Sequence, residues 1–127
     1  MIITHGIDIV EVPRIASMLE SHGQRFLDRC FTDEEQKVAD IQAIDKCAER
    51  LAVRYAAKEA VLKALGTGLA GGIEWVEIGV IREDGPPMIK LKGRAAEIAK
   101  SQGITDWRLS LSHTNGMAIA SVIGLGE

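Results

Sequence analysis

Asp8 stands inside an apolar run, Gly6-Ile7-Asp8-Ile9-Val10. A carboxylate in such company is costly to bury unless it is paired, protonated or held by a metal. Period-two alternation puts it on one strand face with Val10 and Val12, although an edge strand would turn the same residue to solvent. Glu59 and Lys63 are four residues apart, so a helix carries both on one side. In isolation they read as an ordinary surface ion pair. Ala48, Ala52, Tyr55 and Ala56 flank that side, however, and Val53, Ala57, Ala60, Val61 and Ala64 line the opposite one. A helix apolar on both sides is packed on both sides, which puts Glu59 and Lys63 in a cleft or at an interface. His113 ends Leu109-Ser110-Leu111-Ser112-His113, where alternation groups it with the two leucines. Taken alone it reads as a structural histidine, while His5 and His22 read as structural or solvent-exposed.

Two carboxylates, a lysine, a histidine and a glycine-rich loop (residues 66–72) make a chemical inventory. Mg2+ commonly takes one or two carboxylates and completes its shell with water and phosphate oxygens. Lysine and histidine serve as phosphate donors. The set points to phosphoryl-type chemistry. No Gly-Lys-Ser/Thr follows the glycine loop, so it is not a nucleotide-triphosphatase P-loop. No His/Cys cluster has zinc spacing, and no Ser-His-Asp or Cys-His set stands out.

The elements that must hold these residues follow from pattern. Residues 2–12 are rich in β-branched side chains and read as a strand, with Pro13 opening a helix that Gly23 stops. A short helical turn surrounds Phe26 and Leu27. Thr32-Asp33-Glu34-Glu35 has the Thr-x-x-Glu capping-box spacing and predicts another helix start. The longest helix is expected over 45–65, free of Gly and Pro, with Gly66 at its end. Residues 75–82 alternate as a strand, Asp84-Gly85-Pro86-Pro87 is a turn, and 88–91 form the partner strand. A helix over 94–102 ends at Gly103. Strands over 107–113 and 117–122 flank Asn115-Gly116, a strong hairpin signal. Strands and helices do not alternate as βαβ units, so the fold class is α+β.

The chain has 127 residues, 46% of them apolar and 26% charged, which suits a soluble one-domain protein spanning 1–127. A net charge of −3 gives no sign of a nucleic-acid binder. Cys30 and Cys47 lack a CxxC spacing and read as reduced thiols. No apolar run approaches the roughly 20 residues of a membrane span, and the N-terminus lacks a basic n-region, so a cytoplasmic location is expected.

Three separated motifs resemble the small bacterial 4′-phosphopantetheinyl transferases, the holo-[acyl-carrier-protein] synthase type. They are Gly6-Ile7-Asp8-Ile9-Val10-Glu11 running on to Pro13-Arg14-Ile15; Arg54-Tyr55-Ala56-Ala57-Lys58-Glu59-Ala60 with Lys63-Ala64-Leu65-Gly66-Thr67-Gly68; and Ser110-Leu111-Ser112-His113. Phe31-Thr32-x-x-Glu35 is a weaker fourth. The resemblance implies an antiparallel sheet packed with a long central helix, assembled as a homotrimer with sites between subunits. It implies transfer of the phosphopantetheine arm of coenzyme A to a serine of apo acyl carrier protein, releasing adenosine 3′,5′-bisphosphate, in fatty acid biosynthesis. By the same resemblance, Asp8 and Glu59 are Mg2+ ligands and Lys63 contacts the pyrophosphate. Arg54 and His113 line the coenzyme A nucleotide site, the loop at Gly66 and Gly68 holds phosphates, and Arg14 and Arg25 dock the carrier protein. The serine proton would go to Glu59 or to a water held at Asp8. Tyr55 stands where Phe or Trp is common, and Pro86 stands where a basic residue is common, so the turn is assigned no ligand contact. Two other readings are a non-catalytic trimeric module binding coenzyme A or a carrier protein, which would keep the basic patch but need no metal carboxylates, and a different Mg2+ enzyme acting on phosphorylated metabolites; the joint presence of Asp8, Glu59 and Lys63 argues against the first. Acidic carrier binding is compatible with net charge −3, because a local patch of Arg14, Arg25 and Arg29 suffices.

Overall fold

β1 (Ile2–Glu11) runs beside the C-terminal strand of a hairpin, and the two together carry the inner surface on which everything else rests. The computed structural model describes residues 1–39, 44–82 and 85–127. After β1 come α1 (Val12–His22), α2 (Gln24–Cys30), α3 (Asp33–Val38) and the long α4 (Ile44–Leu65). A 3-10 turn (Trp75–Glu77), β2 (Ile78–Ile81), β3 (Met88–Leu91), α5 (Gly93–Ser101), β4 (Ile104–Thr114) and β5 (Met117–Gly126) follow. One antiparallel sheet has the order β1-β5-β4; β2 and β3 form a separate pair. The α+β class and the sheet-on-long-helix arrangement are as expected.

Several local expectations hold for local reasons. Thr32 Oγ1 accepts the Glu35 N–H at 3.2 Å and the Glu35 carboxylate accepts the Thr32 N–H at 2.8 Å, closing the capping box that starts α3. Gly66 ends α4 at φ 78°, where its N–H donates to the Leu62 carbonyl at 2.9 Å. Asn115 and Gly116 have φ 48° and 75°, the double left-handed turn that twists with its strands. The hairpin is longer than expected, because pairing continues to Ile104↔Gly126.

One strand was not as expected. Residues 75–77 wind into the 3-10 turn, held by the Glu77 carboxylate on the Glu74 N–H at 3.2 Å, and only 78–81 are extended. Ile78, Gly79 and Val80 are all buried, so this short strand has no solvent face and its alternation carried no information. Asp84 of the expected turn lies outside the described residues.

The alternation of β1 is clean. Gly6, Asp8 and Val10 face inward, while Ile3, His5, Ile7 and Ile9 face out. The inner face of β5 is Ala118, Ala120, Val122 and Gly124. Small residues there let α4 lie close to the sheet. A Cβ built on Gly6 would sit 1.8 Å from the Ala60 carbonyl oxygen and 2.9 Å from the Ala64 nitrogen. Both apolar sides of α4 are thus filled by the chain's own elements, the sheet on one side and α1 and β2 on another. Apolar residues exposed on the outer sheet face are Ile3, Ile7, Ile9, Ile119 and Ile123.

Candidate functional site

Asp8, Glu59 and Lys63 come together where β1 crosses α4. The close approach at Gly6 brings the strand to the helix, and the next inward residue is Asp8. Lys63 Nζ donates to Asp8 Oδ1 at 3.0 Å and to the Ile7 carbonyl at 3.0 Å. The i,i+4 geometry suggested an ion pair with Glu59; the salt bridge that Lys63 forms is instead with Asp8, across the helix–strand contact. The Asp8 side chain is 13% exposed and that of Lys63 55%, so the cluster is a cleft with one open side. Glu59 is half-buried. Burial, and then the neighbouring Asp8 charge, push its carboxyl up, while Arg14 and Lys63 pull it the other way. Two facing carboxylates of this kind are an oxygen donor pair for a hard divalent cation. Among the described residues, no group of three or more His, Cys, Asp and Glu is placed to hold a metal. A cation here would complete its shell with water or with ligand oxygens. The loop beginning at Gly66 lies one helical turn beyond Lys63, with Gly66 and Gly68 exposed and both at positive φ.

Arg54 and His113 also come together, but elsewhere. Both line a groove of about 700 Å³ with Lys46, Glu49, Arg50 and Arg82. Arg54 and Glu59 are five residues apart on α4, about 140° around its axis, so the groove and the Asp8 cluster open in different directions. Within one chain they are two separate sites. Arg54 is 8% exposed and donates through Nη1 to the Arg50 carbonyl at 2.8 Å, while its buried Nε has no partner among the described residues. Burial lowers the guanidinium's pKa, with Arg50 and Arg82 adding to the shift and Glu35 opposing it. Four cations against Glu49, one carrying an unsatisfied N–H, suit a phosphate-bearing ligand. Lys46, Arg50 and Arg82 were not singled out from sequence; each reads as a solvated surface charge until the fold converges them. The turn before β3 also reaches this groove, through Pro87.

Arg14 lies with its guanidinium carbon 5.8 Å from the Tyr55 ring centroid. Tyr55 stacks on Trp75 at 4.8 Å and 28°. Beside this pair is a pocket of about 340 Å³ lined by Met18, His22, Arg25, Phe26, Arg29 and Trp75 among others. Its walls are partly apolar, through Met18, Phe26 and Trp75, and Arg25 and Arg29 add positive charge. His5 faces outward and contacts Ser121 Oγ at 3.1 Å, away from both sites. Cys30 and Cys47 are buried and form no disulfide.

The largest omission from the sequence reading is Lys58. It is fully buried against Glu35, with Nζ 2.7 Å from Oε1. The seven residues before it, 51–57, are likewise all buried, which shows only once the helix is packed.

Comparison with known proteins gives a consistent result. The family model for the 4′-phosphopantetheinyl transferase superfamily matches residues 4–120. A holo-[acyl-carrier-protein] synthase of Koribacter versatilis is 47% identical over 97% of this chain and 98% of its own length. One of Trichlorobacter lovleyi is 45% identical over 97% of each. The crystal structure of Helicobacter pylori holo-[acyl-carrier-protein] synthase in complex with coenzyme A superposes with a TM-score of 0.82 at 28% identity, covering 95% of this chain and 99% of that one. With the family model matching nearly the whole length and the residues of both sites falling inside the match, the chain belongs to the 4′-phosphopantetheinyl transferase superfamily.

Proposed function

We propose that the protein transfers the 4′-phosphopantetheine arm of coenzyme A to a serine of apo acyl carrier protein, in the cytoplasm and in an Mg2+-dependent reaction. The observation that carries this reading is the Asp8–Glu59–Lys63 cluster, built by the Gly6–Ala60 contact. The names of the relatives and the coenzyme A complex of the Helicobacter pylori enzyme support the substrates. Asp8 and Glu59 would hold the Mg2+, which when bound offsets the pyrophosphate charge. The serine oxygen forms a bond to the β-phosphorus as the bond to the bridging oxygen breaks, and adenosine 3′,5′-bisphosphate leaves. Lys63, on a flexible and largely exposed stem, is placed to neutralise the leaving side. The serine proton passes to Glu59 or to a water that Asp8 orients. Gly66 and Gly68 let the backbone approach the phosphates. Arg54 and His113, with Arg50 and Arg82, hold the phosphorylated nucleotide end.

The two half-sites face apart in one chain, so a full site requires a second copy. This favours a homotrimer with the Asp8 cluster of one subunit facing the Arg54 groove of the next. The outward isoleucines of β1 and β5 supply apolar surface for the assembly. Arg14 and Arg25, beside the Met18 and Phe26 pocket, would dock the acidic carrier protein.

The test is direct. Incubation with coenzyme A, Mg2+ and apo acyl carrier protein should add ~340 Da to the carrier by intact mass spectrometry, and EDTA should abolish the gain. No gain with any apo carrier, by a folded protein that still binds coenzyme A, would move the assignment to a non-catalytic binding module.

A further inference from the structure

Lys58 and Glu35 satisfy one another completely. The ammonium donates to Glu35 Oε1 at 2.7 Å, to the Trp75 carbonyl at 3.3 Å and to the Ile78 carbonyl, which uses all three of its protons. Glu35 Oε1 also accepts the Thr32 N–H, and Oε2 accepts the Val80 N–H at 3.1 Å. The side chains are 0% and 1% exposed. One buried pair therefore ties together α3, α4, the 3-10 turn and β2. Apolar residues of similar volume often hold such elements together equally well, so a buried ion pair is weak evidence for stability. What it does specify is geometry, and the geometry here leads to one place. The carbonyl held by Lys58 belongs to Trp75, whose ring stacks on Tyr55. Phe31, 5.6 Å from the Lys58 ammonium, packs on Tyr55 from another side. Arg14 rests over the same Tyr55 ring. Three contacts, through two intervening residues, link the ion pair to an exposed arginine whose charge also reaches Glu59.

We infer that the Glu35–Lys58 pair is a positioning device for the acceptor: through Trp75 and Tyr55 it fixes the Arg14 guanidinium between the docked acidic carrier and the reacting centre. Glu35 and Lys58 touch neither substrate. The inference rests on the proposed transfer activity.

The experiment uses the full chain with coenzyme A, Mg2+ and apo acyl carrier protein, and measures KM for each substrate separately. The paired variant Glu35→Leu/Lys58→Met removes both charges. Trp75→Ala keeps the ion pair and the backbone carbonyl but removes the stacked ring. Each should raise KM for the carrier about fivefold while KM for coenzyme A stays within about twofold. In an Arg14→Ala background neither change should raise the carrier KM further, because both act through that guanidinium. Equal rises in both KM values, or a rise fully additive with Arg14→Ala, overturn the inference. If the paired variant does not fold, Trp75→Ala decides: an unchanged carrier KM overturns it. A wild-type chain without transfer overturns activity and inference together, whereas an active wild type with unmoved carrier KM in the variants overturns the inference alone.

Discussion

Gly6→Ala is the most informative single change, because it adds one carbon at the point where strand meets helix. The added Cβ would lie 1.8 Å from the Ala60 carbonyl oxygen, 2.8 Å from its carbon and 2.9 Å from the Ala64 nitrogen. Contacts below 3.0 Å are essentially never adopted by a Cβ, so β1 and α4 must part by about 1.2 Å along that line. The atoms met are backbone, and no side-chain rotation relieves them. Overpacking of this kind costs about 1–3 kcal/mol. For a chain of this length that is a fall in Tm of roughly 4–12 °C. The functional effect should exceed the stability effect. The 3.0 Å Asp8–Lys63 contact and the apposition of Asp8 and Glu59 both span the gap being opened. A displacement of about 1 Å in a reacting geometry costs on the order of 10²-fold in rate. Thermal unfolding followed by circular dichroism reads the first effect, and the rate of mass gain on apo carrier protein reads the second. Ala60→Gly is the control: it removes a methyl group but none of the atoms met, so Gly6→Ala/Ala60→Gly should remain as impaired as Gly6→Ala. A Gly6→Ala protein with Tm within about 1 °C of wild type and transfer within about twofold would refute the claim that close backbone approach builds the site. Rescue by Ala60→Gly would refute the identity of the clash.

Glu59→Gln keeps the side-chain shape and removes the charge facing Asp8. Transfer should fall by about 10²–10³, with coenzyme A binding by calorimetry largely retained, and unchanged transfer would sink the Asp8–Glu59 assignment. Burial pushes both the Cys30 thiol and the Tyr55 phenol up from their ordinary values of 9.0 and 10.0. Above pH 9 the unfolded chain therefore releases protons that the folded chain keeps, and stability must fall as pH rises. Urea unfolding from pH 8 to 10.5 should show this loss beginning near 9, with a shallower early slope in Cys30→Ala; a flat profile contradicts the burial argument. Ile123→Asp places a charge in the outer apolar face of β5 without touching either half-site. Analytical ultracentrifugation should show a trimeric wild type and a dissociated variant that has lost transfer, whereas an active monomeric wild type would remove the need for a second copy.

Much of this protein was determined by its local sequence. The capping box of Thr32 and Glu35, the Gly66 helix stop and the Asn115-Gly116 hairpin involve partners within four residues or a strand already adjacent, so residue type and spacing suffice. Period two put Asp8 on one face of β1 with Val10, and a spacing of four put Glu59 and Lys63 on one side of α4. What these periods lack is any statement of which face meets which. The tertiary structure alone decided that Lys63 turns to Asp8, 55 residues away, and not to Glu59. It alone split Arg54 and His113 from the Asp8 cluster, and wound 75–77 out of the strand that their alternation suggested. Lys58 shows the reason most plainly. On a helix a lysine reads as a solvated charge, and nothing local contradicts that until the helix is surrounded. Once buried, its ammonium must find oxygen atoms, and it takes them from Glu35, Trp75 and Ile78, all 17 or more residues away. Local sequence decides backbone conformation through short-range sterics and hydrogen bonds, whereas desolvation, which selects the partners of buried charge, exists only after the chain has packed.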